Sequence, residues 1–190
     1  TDTSSVFDKL LTVGAPGAYA RALQAGDPTV VVSDTTTSLA KLPTVDDLVL
    51  TGHANINGTG NARDNVITGN DGNNVLKGGD GGDTLIGGDG NDTLSGGTGD
   101  DVMVGGRGND VYFVDSANDA VVENIPASMQ GGSRDEVRST VSFSIATLPN
   151  IENLTLSGTD NINAIGNAAG NMIVGNTGNN VLRGEGGNDT

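Results

Sequence analysis

From Gly60 to Phe113 the chain can be written in nines. Gly60 opens GNARDNVIT, Gly69 opens GNDGNNVLK, Gly78 opens GGDGGDTLI, Gly87 opens GGDGNDTLS, Gly96 opens GGTGDDVMV and Gly105 opens GGRGNDVYF. The shared pattern is G-G-x-G-x-D-x-U-x, with U a large apolar residue. A period this short leaves room for one turn and one short strand. The paired glycines let the turn enter φ > 0 without a Cβ clash. Side chains alternate along a strand, so only the middle residue of a three-residue strand faces inward. Those residues are Ile67, Leu76, Leu85, Leu94, Met103 and Tyr112. Consecutive nonapeptides then lie on opposite sheets, and a pair of them completes one coil.

Composition narrows the choice further. Glycine occurs 31 times, aromatics make up 3% and Trp is absent, so an ordinary core of large side chains is out of reach. What remains is a thin-cored repeat or a disordered linker. The apolar residue returning at every ninth position favours the repeat, because flexible linkers lack one. One buried side chain per nonapeptide returns less free energy than ordering the backbone costs, and rows of Asp along each edge add repulsion. The turns therefore need something to bind them. With 24 acidic residues against 9 basic and a net charge of -15, nucleic acid and anionic membrane surfaces are poor partners. No apolar run is long enough to insert in a bilayer. Cations suit the chain. The sixth positions hold Asn65, Asn74, Asp83, Asp92, Asp101 and Asp110. Turns two nonapeptides apart share an edge, so Asp83 faces Asp101 and Asp92 faces Asp110. Carboxylates beside backbone carbonyls form a hard oxygen set that fits Ca²⁺. There is no Cys, which excludes disulfides and thiolate metal sites.

The GGxGxD turns at this strict spacing resemble the RTX (repeats-in-toxin) nonapeptides of secreted bacterial metalloproteases, lipases, pore-forming toxins and adhesins. The resemblance implies an all-β, right-handed parallel β-roll with Ca²⁺ between turns on one edge. It also implies a ligand set of two carboxylates, carbonyls one and three of the lower turn, and carbonyls two and four of the upper turn. One site would then use Gly78, Asp80, Asp83, Gly97, Gly99 and Asp101. The other would use Gly87, Asp89, Asp92, Gly106, Gly108 and Asp110. Weaker sites, with an amide replacing a carboxylate, would pair Asn74, Gly69 and Asp71 with Asp92, Gly88 and Gly90, and Asn65 with Asp83, Gly79 and Gly81. Asp189 would begin a further one.

A longer unit is also duplicated. LPTVDDLVLTGHANINGTGN from Leu42 returns as LPNIENLTLSGTDNINAIGN from Leu148. The expected organisation is a leader over 1–41, a first roll block over 42–113, a strand-bearing connector over 114–165 and the start of a second block over 166–190. The last repeat breaks off at Thr190, as expected for part of a longer protein, and no signal peptide opens the chain. Ala18 to Ala25, closed by Gly26, reads as a short helix. Val102, Val104, Val111 and Phe113 should point outward, with the segment 114–157 folding back over them. Asp115, Asp119 and Glu123 are placed to complete a last calcium site.

Nothing here resembles an active site. His53 is the only histidine, which excludes a two-histidine zinc motif, and its counterpart in the duplicate is Thr159. No G-x-S-x-G elbow and no phosphate-binding glycine loop is present. Asp46, Asp47 and Glu152 read as strand flanks. The resemblance implies a secreted module, exported through a type I channel. The parent would be a surface, adhesin or filament-like protein with possible self-association or cell-surface contacts, or alternatively a hydrolase, epimerase or toxin.

Overall fold

A three-residue strand can bury its middle side chain only against a second sheet, and the chain meets that demand by alternating between two. The computed structural model describes residues 11–12, 18–21, 28–123 and 134–190. Among these every regular element is a strand. One sheet holds β1 (Leu11–Thr12), β2 (Ala18–Arg21), β3 (Val30–Ser33), β5 (Asp47–Leu50), β7 (Val66–Thr68), β9 (Thr84–Asp89), β11 (Val102–Arg107) and β13 (Ala120–Val122). The facing sheet holds β4 (Thr37–Ser38), β6 (Gly58–Thr59), β8 (Val75–Asp80), β10 (Thr93–Thr98), β12 (Val111–Val114), β14 (Glu136–Ser139), β16 (Asn153–Leu156) and β18 (Met172–Val174). A small third sheet joins β15 (Phe143–Ser144), β17 (Ala164–Ile165) and β19 (Leu182–Arg183). From β3 onward all pairing is parallel; β1–β2 and β2–β3 are antiparallel.

The register stacks like on like. Ile67 pairs with Leu85, Leu85 with Met103 and Met103 with Val121. Opposite them, Leu76 pairs with Leu94, Leu94 with Tyr112 and Tyr112 with Val137. The six inward residues read from the repeat are all 0% exposed. The thin core is two apolar ladders face to face, and the all-β parallel roll is the fold observed.

Two expectations change. Ala18–Arg21, read as helix, is strand β2, paired through Tyr19 to Val32; residues 22–25 of that reading lie outside the described ones. An edge partner overrides a weak helix preference. Second, the described residues after Val114 do not fold back over the outward residues. β13 pairs with β11 and β14 with β12, so the connector strands extend the same sheets. Val102 and Phe113 stay 37% and 40% exposed, with the Arg138 guanidinium 5.8 Å from the Phe113 ring centroid. The duplicated unit enters on the other side of the roll: β5 lies in the first sheet, and its counterpart β16 lies in the second.

Because the core is one residue deep, each ladder position carries a full share of stability. Leu94→Ala is expected to cost about 2–5 kcal/mol, and Val75→Ala, on the outer face, about 0.5 kcal/mol. Denaturant unfolding in saturating calcium measures both.

Candidate metal centre

The sixth-position residues align in two columns, one on each edge. On the first edge the Asn65 backbone N–H donates to Asp83 Oδ1 at 2.7 Å, Asp83 N–H to Asp101 Oδ1 at 2.8 Å, and Asp101 N–H to Asp119 Oδ1 at 3.1 Å. On the second edge Asn74 N–H donates to Asp92 Oδ1 at 2.8 Å, Asp92 N–H to Asp110 Oδ1 at 2.7 Å, and Asp110 N–H to Asp135 Oδ1 at 2.8 Å. Each carboxylate thus braces the turn below with one oxygen. The other oxygen, Oδ2 of Asp83, Asp92, Asp101, Asp110 and Asp135, is buried without a partner. A buried, unpaired carboxylate oxygen is costly, and each of the five is relieved by a cation or a proton.

Backbone carbonyls surround those oxygens. Gly79, Gly81, Gly88, Gly90, Gly97, Gly99, Gly106 and Gly108 all have φ between 102° and 143°. These are positions two and four of the four Gly-rich turns, where an L side chain would be strained. A Cβ on Gly97 or Gly99 would also strike the carbonyl oxygen of Gly79 or Gly81, so those carbonyls point up. The Gly96 carbonyl points down at Gly78, over which Asp83 Oδ2 also lies. The Thr98 carbonyl points down and accepts from Gly81 N–H at 2.9 Å. The second edge repeats this, with Gly88 and Gly90 pointing up, Gly105 and Arg107 pointing down and Asp92 Oδ2 between them.

The carbonyls that face each gap between coils are thus two and four of the lower turn and one and three of the upper, the opposite directions to those in the set implied by the resemblance. The carbonyls of Gly78 and Gly87 point down at Gly60 and Gly69 instead. The side chains of Asp80 and Asp89 lie outside, with Asp80 Oδ1 accepting from Thr98 Oγ1 at 2.8 Å and Asp89 Oδ2 3.9 Å from Arg107. Asp71 is exposed and pairs with exposed His53 at 2.7 Å.

The asparagine turns behave differently. Asn65 Oδ1 accepts from Asn61 N–H at 2.8 Å, and Asn65 Nδ2 donates to the Asp46 carbonyl at 2.7 Å. Asn74 Oδ1 accepts from Asn70 N–H at 2.9 Å, and its Nδ2 donates to Ile56 O and Asn70 Oδ1. An Asn at position two turns its N–H inward, where a Gly-rich turn leaves room for an ion. Both ends of each amide are hydrogen-bonded within the protein and neither carries charge, so the weaker sites expected at Asn65 and Asn74, with Gly69 and Asp71, lack the partnerless carboxylate oxygen of the Asp turns. The duplicate repeats the bonds: Asn167 N–H to Asn171 Oδ1 at 2.8 Å, and Asn176 Nδ2 to Ser157 O and Asp160 O as Asn70 Nδ2 to Thr51 O and Ala54 O. Asp189 Oδ1 accepts from Asn171 N–H at 2.9 Å, the role Asp83 plays toward Asn65.

Asp115 and Asp119 do not share a site with Glu123. Asp119 ends the first column, and its Oδ2 accepts from the N–H groups of Asp115 and Ser116 at 3.1 Å. Glu123 lies on the other edge, within reach of Asp110 and Asp135. Asp135 escaped the sequence reading because it follows Asp110 by 25 residues and not 18. The D-x-U trace Asp135-Glu136-Val137 was the signal that could have revealed it.

Burial raises the carboxyls of Asp83 and Asp92 from 3.8 to about 6, and those of Asp110 and Asp135 to about 7. In the unfolded chain these groups titrate near 3.8, so the cation-free fold holds more protons between there and about 7. Its stability is greatest below 3.8 and is lost as pH rises through the raised values. In chelator the β-sheet circular dichroism should be stronger at pH 5 than at pH 8, while calcium affinity should rise from pH 5 to pH 8. A chelated chain better folded at pH 8 would contradict this. Asp92→Ala should lose at least about tenfold in calcium affinity, the scale seen when even an outer partner of a metal ligand is lost. Asp71→Ala should leave it nearly unchanged in the same titration.

Comparison with known proteins supplies a family. The model for the RTX calcium-binding nonapeptide repeat matches in 4 copies, over residues 59–94, 77–112, 86–121 and 165–190. Neither the curated proteins nor the solved structures contain a match. The matched stretches hold the Gly-rich turns, the turn Asp residues from Asp83 to Asp119 and the inward ladders, and over them the chain is built of RTX calcium-binding nonapeptide repeats.

Proposed function

We propose that this chain is an extracellular folding module that stays open where calcium is scarce and closes into its roll where calcium is plentiful. That it is a calcium-binding repeat module follows from its family and fold. The observation that carries the finer reading is the set of partnerless carboxylate oxygens, Oδ2 of Asp83, Asp92, Asp101, Asp110 and Asp135. Without a cation the coils stack five buried carboxyls, whose charged form burial disfavours, on a core one residue deep.

In the proposed sites each ion lies between two Gly-rich turns. One takes Asp83 Oδ2 and Asp101 Oδ1 with the carbonyls of Gly79, Gly81, Gly96 and Thr98. The other takes Asp92 Oδ2 and Asp110 Oδ1 with Gly88, Gly90, Gly105 and Arg107. Six oxygens per ion is within the range Ca²⁺ accepts. Extracellular modules bind calcium at about 10⁻⁴–10⁻³ M, so the roll would remain unfolded in a calcium-poor cytosol and fold after export through a type I channel. The duplicated unit, which rebuilds the same Asn bonds at Asn61 and Asn167, Asn70 and Asn176, favours a repetitive structural parent, such as a surface, adhesin or filament protein. No catalytic role is assigned to the chain.

Circular dichroism in chelator at neutral pH and then in millimolar calcium tests the reading. The expected result is a disordered spectrum that converts cooperatively to β-sheet, with magnesium far less effective because it demands a tighter octahedron and gives up its waters reluctantly. A full β spectrum in chelator at neutral pH would refute it.

A further inference from the structure

The nonapeptide ends at Phe113, yet the second Asp column does not end with it. β13 pairs with β11 through Val102–Ala120, Met103–Val121 and Val104–Val122. One step on, Glu123 stands above Gly105, where a regular turn would open with glycine. Val111 pairs with Glu136, which sets Asp135 above Asp110. Glu123 and Asp135 therefore stand at positions one and six of the next turn on this edge, with a carboxylate in the place of the opening glycine.

Three features converge there. Ligand atoms of Asp110, Glu123 and Asp135 all lie within 4.8 Å of one another, and all three residues are buried. Oxygens around one Ca²⁺ at 2.3–2.6 Å are separated by at most about 5 Å. Independently, Asp110 Oδ2 and Asp135 Oδ2 are orphaned on residues 0% exposed. Finally, the inward residue at this level is Tyr112 and not Leu. Its hydroxyl donates to Glu123 Oε2 at 2.7 Å and lies with Asp110 Oδ2 over Gly105, in the place where Gly96 O and Asp83 Oδ2 meet over Gly78.

We propose that Asp110, Glu123 and Asp135 form a separate calcium site that closes the second edge of the roll beyond the last nonapeptide, with Tyr112 positioning the Glu123 carboxylate. Glu123 supplies by its side chain the oxygen that a position-one glycine supplies by its carbonyl. Three carboxylates make this site more negative than a repeat site with two. It fills before the repeat sites and caps the stack against fraying from that end. The donor set is all hard oxygen, with no His or Cys, which selects calcium over zinc.

The test counts ions on the whole chain by native mass spectrometry in saturating calcium, after circular dichroism shows each variant folded. Glu123→Gln and Asp135→Asn should each bind one calcium fewer than the parent. Tyr112→Phe should keep the count. Terbium adds a second readout, since the chain has 2 Tyr and no Trp. The first equivalent of terbium should give tyrosine-excited emission in the parent and lose most of it in Tyr112→Phe and Glu123→Gln. If a carboxylate variant fails to fold, an anomalous-difference map of calcium-loaded parent crystals replaces it, with a peak expected between Asp110, Glu123 and Asp135. An unchanged ion count in folded Glu123→Gln, or no peak there, overturns the proposal. A parent that binds no calcium at all would instead refute the module reading above.

Discussion

The structure depends on how each turn Asp divides its two carboxylate oxygens. One accepts a backbone N–H from the turn a coil below, at 2.7 to 3.1 Å. That bond sets the coil-to-coil register along both edges. It also holds the carboxylate where its second oxygen faces the interior with no donor. The same geometry that stacks the coils therefore creates the demand for a cation. A charge-assisted bond to each N–H contributes to stability, but burial of the unpaired oxygen works against it, and a core one residue deep has little to spare.

Position two decides how a turn resolves this. Gly79, Gly88, Gly97 and Gly106 take positive φ, which frees the turn to aim carbonyls into the gap between coils. Asn61 and Asn70 instead donate N–H inward to Asn65 and Asn74, and the turn closes on itself without charge. The roll thus opens with neutral, self-closed coils and continues with coils that need an ion. The neutral coils give the chain a base on which the charged ones can assemble. At the far side Asp119 ends one column with its own backbone bonds, while the other column runs on to Asp135.

Much of this was legible in the sequence. The ninth-residue period names the ladder from Ile67 to Tyr112, because an inward residue in a three-residue strand has no alternative. The Asp83–Asp101 and Asp92–Asp110 pairings follow from the same arithmetic. The direction of the carbonyls was not legible, since it depends on which peptide planes flip at glycine, and glycine permits either. How Asn65 and Asn74 are satisfied was not legible either, because an Asn looks like a weakened Asp and its partner, Asn61 or Asn70, sits four residues earlier. Glu123 and Asp135 lie where the period breaks, so only the pairing of β13 and β14 brings them to Asp110. The connector strands were read as a cover for Val102 and Phe113, because a period that stops looks like a domain that stops. Parallel pairing needs only extended backbone, and that continued.

The claim that position two, together with position six, sets whether a turn binds calcium can be tested by gain of function. Asn70→Gly with Asn74→Asp converts GNDGNN into GGDGND, the sequence already present at Gly87. Calcium bound per chain is then counted at saturation. The account predicts one ion more than the parent, between this turn and the one at Gly87, and a chain that needs more calcium to fold. An unchanged count in a folded double variant would contradict it.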